Sequence, residues 1–425
     1  MKKLLSILLV LAMTTTIMVG CGGKDSEKSN DEKSLKVGVI LFGDNQDNYT
    51  KAHIDGNLDA AKEVGIDSEN IIVKYNVKED NCAKTAKELI GNGCSLIISN
   101  SYAYQDALNK VAKDYSDVNF VAMSGDYAAI SGNNNFYNAF TSIYQAKYVS
   151  GVVAGLKIKE LKEQKKIPKK DFDKDKNVKI GYIGEYPDAE EVSGYTAFYL
   201  GIKSVYDKVS MKVSYTEKRY APNKEASVAK KLIKDNCLII GQKTDSTEAA
   251  STIQKAKDDG TTVYIVGHNT SMLDVAKNAT LTSSISNWKV YYKELLKDVM
   301  AEEDIPQDWA EGYSVDAVSI SELGPEVAKG TDKKVTEVEQ GLKDGSIQVF
   351  DTSKFTVKGK KINSYMVDLS KIDSSKNPPV VLFQGEKKET IENNNEISYF
   401  SESTLRSAPY FDLRIDGIKE LNSKK

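Results

Sequence analysis

The chain has 425 residues, enough for two domains or more, and its 40% hydrophobic and 28% charged residues are the make-up of an ordinary globular protein. The formal net charge is -3, and Lys and acid are interspersed, which argues against a nucleic-acid binder with a basic face. After Cys21 only Cys82, Cys94 and Cys237 remain, an odd count that excludes a complete disulfide framework. Cys94 and Cys237 precede apolar runs and read as small buried residues. A Cys82–Cys94 bridge stays open at this point.

Residues 1–21 begin with Lys2-Lys3, continue through an apolar run from Leu4 to Val10 and Ala12, and end in Met18-Val19-Gly20-Cys21. This is the layout of a secretory signal peptide, with an apolar core too short for a permanent span. The ending resembles the bacterial lipobox, whose Cys receives a diacylglycerol and becomes the new N-terminus. Two acyl chains anchor stably where one is marginal. A plain signal peptide with an incidental Cys is the alternative reading. Residues 22–34 are polar and predict a flexible tether. The expectation is a protein held by Cys21 at the extracytoplasmic face of the cell membrane.

Beyond the tether the chain repeats itself. Lys36-Val37-Gly38-Val39-Ile40 returns 143 residues later as Lys179-Ile180-Gly181-Tyr182-Ile183. Ala86–Ile90 returns as Ala229–Ile233, and Cys94 as Cys237, at the same offset. Three matches in register predict two similar halves of domain size. In the first half the runs Leu35–Phe42, Ile71–Val77, Leu96–Ser99 and Phe120–Met123 predict strands. Ala83, Ala86, Leu89 and Ile90 keep helical spacing, as do Leu108, Val111, Ala112 and Tyr115. In the second half the strands are Val178–Gly184, Met211–Tyr215, Leu238–Gly241 and Val263–Val266, with helices over Ala197–Val205 and Ser227–Ile233. The alternation predicts an α/β protein of parallel sheets wrapped by helices. Leu156–Asn177, rich in Lys and Asp, reads as a solvated excursion joining the halves. Gly91-Asn92-Gly93 reads as a helix-ending turn. Val349–Ile362 predicts a hairpin at Lys358-Gly359, and residues 377–425 have no assigned role.

In open parallel sheets ligands bind beyond the carboxyl ends of the strands. That rule selects Asn45 and Tyr49, then Asn100 and Tyr102, then Ser124 and Asp126. In the second half it selects Glu185, the stretch Gln242-Lys243-Thr244-Asp245, then His268-Asn269, with Leu281–Asn287 running into Trp288. Amides, hydroxyls, carboxylates and aromatics suit a flat polar heterocycle, stacked on its faces and read along its edge. Each residue also has a plainer reading. Tyr102 can be strand-end packing, Trp288 can brace a crossover, and His53 can be a surface or half-buried residue of a helix. Glu190-Glu191 beside Asp188 reads as a solvated helix start. With only His53 and His268, no metal-ligand spacing, no nucleophile elbow and no phosphate loop, the chain reads as a binder without cofactor or metal, not an enzyme.

Five stretches carry a family resemblance: Tyr49–Gly56, Tyr144–Gly155, Gly194–Gly201, Gln242–Ser246 and Ser286–Tyr292. In order, from Leu35 to Phe350, the chain resembles the basic membrane protein family, substrate-binding lipoproteins of ABC importers for purines and nucleosides. The resemblance implies a type I periplasmic-binding-protein fold, two Rossmann-like lobes with parallel sheets joined by a hinge and closing on ligand. It implies an N-terminal lobe of 35–143 plus about 268–290, a C-terminal lobe of 144–267 plus about 291–350, and an extension over 351–425. It implies that Tyr49 stacks on the base, and extends the ligand set to Thr50 and Tyr195 beside Gln242, Thr244, Asp245 and Trp288. Ser124, His268 and Ser286 stand where the nucleoside branch places acids and a Lys for ribose, which favours a free nucleobase over a nucleoside. Lys289-Val290 departs from the Gly-Pro of the nucleobase branch. The implied partners are the small ligand, an ABC permease and membrane lipid through Cys21, with the chain a monomer; the alternative is a membrane-anchored sensor of the same fold.

Overall fold

The computed structural model describes residues 35–373, 376–394 and 397–423. The expected signal peptide with Cys21 and the expected tether over 22–34 lie outside the described residues.

The first half opens with β1 (Val37–Ile40), buried along its whole length because both faces of a parallel sheet are covered. Then come α1 (Asn48–Glu63), β2 (Ile71–Lys74), α2 (Cys82–Gly91), β3 (Leu96–Ser99), α3 (Gln105–Ala112), β4 (Asn119–Met123) and β5 (Phe136–Thr141). The expected strands appear within a few residues of their runs. β5 was not expected, since Asn138 and Thr141 break its apolar pattern although both are buried. The long helix α4 (Ile143–Glu163) leads to β6 (Val178–Gly184), α5 (Ala189–Lys203), β7 (Val209–Tyr215), α6 (Pro222–Lys234), β8 (Ile239–Gln242), α7 (Glu248–Asp258), β9 (Tyr264–His268) and β10 (Thr280–Ser286). The chain continues through α8 (Trp288–Ala301), β11 (Asp308–Glu311), β12 (Val318–Ile320) and α9 (Thr331–Lys343).

One sheet has the order β11-β5-β4-β3-β1-β2, and the other runs β12-β10-β9-β8-β6-β7. The repeat seen in the sequence is a repeat of register. Val37 lies beside Leu96 and Ile180 beside Ile239, both pairs displaced by the same 143 residues. A Cβ on Gly38 would meet Leu89 at 2.9 Å, and one on Gly181 would meet Leu232 at 3.0 Å. The matched glycine thus lets the matched leucine of α2 or α6 seat on the sheet. Cys82, Cys94 and Cys237 are buried free thiols, so no Cys82–Cys94 bridge forms.

Strand pairing moves one expected boundary. β10 pairs with β9, so 268–286 runs with the second sheet, while α8 packs on α1 and β11 pairs with β5 in the first. The chain crosses between sheets around Ser142, around Asn287 and through Gly312–Ala317. The solvated excursion is also shorter than expected. α4 continues to Glu163 with Lys157, Ile158 and Leu161 buried, Lys157 keeping its ammonium 2.8 Å from Glu160. Helices α4 and α5 touch closely: a Cβ on Gly151 would meet the Phe198 carbonyl at 2.2 Å, and one on Gly201 the Tyr148 carbonyl at 2.1 Å.

The extension is structured. Lys358 and Gly359 both have positive φ between bridged Val357 and Lys360, the expected hairpin turn. Short antiparallel pairs follow: β13 (Met366–Asp368) with β16 (Lys387–Glu389), β14 (Lys371–Asp373) with β15 (Val380–Phe383), and β17 (Ile391–Asn394) with β18 (Ile397–Phe400). Finally β19 (Ile418–Glu420) adds in parallel to the β7 edge of the second sheet. No helix among the described residues is long and apolar enough to cross a membrane.

Candidate ligand-binding site

The first half supplies aromatic walls. Asp47 caps α1 by accepting the Thr50 amide at 2.7 Å, which sets Tyr49 in the first turn. The Tyr49 hydroxyl lies 2.9 Å from Ser124 Oγ. Ser124 follows β4 with φ 62, a left-handed conformation that costs free energy for serine. Trp288 opens α8, and His53 stands between the two aromatics. Its ring is edge-on to Tyr49 at 4.4 Å and stacked on Trp288 at 4.4 Å, with Nδ1 2.7 Å from the Tyr292 hydroxyl. Contrary to the surface reading, His53 is fully buried, and that burial pushes its imidazole down to about 3, so it is neutral. A Cβ on Gly56 would meet Lys289 N at 2.9 Å, so glycine lets α8 approach α1 here.

The second half supplies charge. Lys243 Nζ lies 2.8 Å from Glu185, 2.8 Å from Glu190 and 3.6 Å from Glu191. Burial by itself would lower this ammonium; the carboxylates outweigh it and hold Lys243 charged. Burial pushes Glu191 upward to its neutral form. For Glu190 the same burial is overcome by Lys243 and Arg219, and it stays a carboxylate. The helix start is solvated only in part: Asp188 is exposed and Glu190 half-buried, while Asp188 accepts the Glu191 amide at 3.1 Å and Glu191 is 1% exposed. Arg219 sits 5.9 Å above the Tyr49 ring and 3.8 Å from Glu185. Asp245 accepts from Asn269 Nδ2 at 2.9 Å, and burial, then Glu185, push it well up. Behind them Lys147 donates to the Gln242 carbonyl at 2.9 Å, its ammonium pushed down to about 7 by burial. Burial, with Lys147 and Lys243 nearby, keeps His268 neutral.

These groups enclose a narrow cavity of about 20 Å³. Tyr49, Ser124, Phe140 and Ile143 line it from one side, and Glu185, Glu190, Arg219, Lys243, Asp245, His268 and Asn269 from the other, with Ser286 and Trp288 at the crossover. The Asn48 amide donates across it to the Asp245 carbonyl at 3.2 Å. Two lining residues hold a buried polar atom with no hydrogen-bond partner, Trp288 Nε1 and Glu185 Oε1. Buried polar groups are normally paired, so an unmet donor and an unmet acceptor at one cavity are groups that a ligand or a water there can satisfy.

Of the expected ligand residues, the cavity brings together Tyr49, Ser124, Asp245, His268 and Trp288. The others hold the frame. Asn100 accepts the Phe42 amide at 3.0 Å and donates to Thr50 Oγ1 at 3.1 Å. Gln242 donates to the carbonyls of Thr244 and Ser246 at 2.8 and 2.9 Å, shaping the turn that presents Lys243 and Asp245. Tyr195 is fully buried in the core with its hydroxyl on Glu420, and Asn45 is exposed. Tyr102 bonds Asp126 at 3.1 Å and lies under Lys371. Arg219 escaped the sequence reading because it stands four residues past β7. Its signal was composition: the chain has only three arginines, and a Lys-rich chain that spends one at a strand end wants a planar cation there. Phe140, near the end of β5, and Ile143, the first residue of α4, are apolar and a search for polar groups passes over them.

The family model for Bmp, ABC transporter substrate-binding protein PnrA-like, matches residues 34–353. A purine-binding protein of Brucella abortus is 31% identical over 293 residues, 69% of this chain and 75% of the relative. Among solved structures, an ABC transporter solute-binding protein of Aeropyrum pernix K1 superposes with TM-score 0.60 at 15% identity, covering 74% of this chain and 93% of that one. A transcriptional activator from Bacillus halodurans superposes with TM-score 0.58 at 18% identity, covering 73% and 99%. The structural likenesses carry the fold, which is that of periplasmic solute-binding proteins. The chain belongs to the Bmp family of PnrA-like ABC transporter substrate-binding proteins.

Proposed function

We propose that this Bmp-family chain is a lipid-anchored extracytoplasmic capture protein that closes on a purine base, in preference to a nucleoside, and hands it unchanged to an ABC permease in the cell membrane. Cys21 is the anchor. The observation that carries the reading is the pairing of aromatic walls, Tyr49 and Trp288, with an unmet donor on Trp288 and an unmet acceptor on Glu185. A flat heterocycle with donors and acceptors on its edge fits that set. Charge supports an uncharged ligand: Lys243 and Arg219 are already balanced by Glu185 and Glu190. Ser124, His268 and Ser286 at the cavity offer hydroxyls and a neutral imidazole rather than acids and an ammonium for a ribose, and the Brucella relative is named for purine binding. Capture needs only a higher affinity in the closed form, not chemistry on the ligand.

The test is a thermal-shift panel of purine and pyrimidine bases and their nucleosides, on protein unfolded and refolded to strip bound ligand. A binder at 100 times its dissociation constant adds about 2.7 kcal/mol of stability. A rise in melting temperature with purine bases supports the proposal. A folded protein silent to every base and nucleoside overturns it.

A further inference from the structure

Residues beyond 353 lie outside the family match, and their contacts fall on both sides of the ligand cavity. On the first side, Lys371 Nζ lies 3.2 Å from Asp126 and 4.4 Å above the Tyr102 ring, and Phe383 stacks on Tyr127 at 4.8 Å and 15°. Asp126 is two residues from Ser124, in the same strand-end loop. The Lys371 and Asp126 side chains are only 10% and 16% exposed, so the pair is shielded from the screening that weakens surface ion pairs. On the second side, Arg414 Nη2 donates at 2.9 Å to the carbonyl of Pro187, two residues from Glu185. Nearby, β19 is paired into the sheet, and Glu420 accepts from Tyr195 at 2.9 Å and Tyr215 at 2.6 Å.

The described residues between these ends are packed. Phe411 stacks on Phe350 at 4.2 Å and meets Phe400 edge-on at 4.8 Å, while Glu402 accepts the Tyr410 and Phe411 amides at 2.7 Å each. The Ser407 hydroxyl bonds Asp308 of the first sheet at 2.6 Å.

We propose that the C-terminal extension is a clasp across the cleft, with Lys371 and Phe383 as positioning residues that hold the Ser124 loop against the Glu185 loop. Opening the cleft moves these two loops apart, and a packed segment tied to both releases one end. The β19 end is held by strand pairing and two tyrosines, so the first-side contacts of Lys371 and Phe383, with that of Ser407, release. Contacts made only in the closed form shift the equilibrium toward closure, with or without ligand.

The reporter is built in: the Asn48 amide is bonded across the cleft to Asp245. Hydrogen exchange of the peptide containing Asn48, in ligand-free protein, compares wild type with the double variant Lys371→Ala, Phe383→Ala. The clasp predicts at least about tenfold faster Asn48 exchange, a shift of about 1.4 kcal/mol toward the open form, with β6 and α4 exchanging as before. Lys371→Arg with Phe383 kept restores slow exchange. Unchanged Asn48 exchange, or faster exchange spread through β6 and α4, overturns the proposal. The inference rests on the cleft opening and closing around a ligand, but this readout needs none, so it is separable from a failure of the purine panel.

Discussion

At equivalent strand ends the two halves carry different chemistry on the same backbone. Past β1 the first turn of α1 supplies Tyr49, while its counterpart β6 is followed directly by Glu185; β3 is followed by the framework residue Asn100 and its counterpart β8 by Lys243 and Asp245. The residue just after β4, Ser124, has φ 62, and the residue just after β9, Asn269, has φ 60. The repeated scaffold thus fixes where the chain turns and leaves the side chains free. The first half uses that freedom for aromatic and apolar surface, and the second for ion pairs. A cleft built this way can grip a ring from one side and read its polar edge from the other.

Breaking the charged side has the largest expected effect. Lys243→Met leaves Glu185 and Glu190 without their cation. Removing one partner of a buried charge set costs about 3–5 kcal/mol, read by urea unfolding. A loss under about 1 kcal/mol would show that the cluster is not the electrostatic centre of that half. On the aromatic side, Tyr49→Ala weakens purine-base binding about tenfold or more by calorimetry while leaving the unfolding midpoint nearly in place, because a base stack is worth about 1–3 kcal/mol. Asp245→Ala weakens it comparably from the other side, through loss of a buried hydrogen bond to the ring edge. Equal affinities in both variants and wild type would dissolve the division of labour.

Away from both walls, Gly201→Ala drives a methyl into the Tyr148 carbonyl and costs about 1–3 kcal/mol of stability with ligand affinity unchanged. An affinity loss in that variant would mean that the α4–α5 contact belongs to the site. The smallest effect is a pH slope. Burial pushes Glu402 up to about 8, although two amides favour its carboxylate. A carboxyl raised on folding binds its proton more tightly in the folded chain. Its contribution is full below the ordinary glutamate range and is lost as pH rises through about 8. Glu402→Gln should therefore flatten the fall in urea midpoint between pH 5 and pH 8. An unchanged slope would place the titration elsewhere.

Much of the scaffold was legible because local pattern dictates it. The Gly38 and Gly181 repeats sit where α2 and α6 press on strands, so sequence and register share one offset. The second crossover was not legible: whether Thr280–Ser286 pairs with β9 or with the first sheet depends on contacts distant in sequence. Within the site, Tyr49, Ser124, Asp245, His268 and Trp288 could be found from strand ends and resemblance. Gln242 and Thr244 fall outside the cavity lining because successive residues of this turn alternate between facing the cavity and holding the turn. Arg219 and Lys371 needed the fold, since each meets its partners in the first half from a segment whose sequence has no periodic signal.

The most direct test is a calorimetric titration of refolded protein with a purine base and, separately, with its own nucleoside. The account predicts saturable binding of the base and at least about tenfold weaker binding of the nucleoside, a difference of about 1.4 kcal/mol. A nucleoside that binds as tightly as the base, or more tightly, would contradict it.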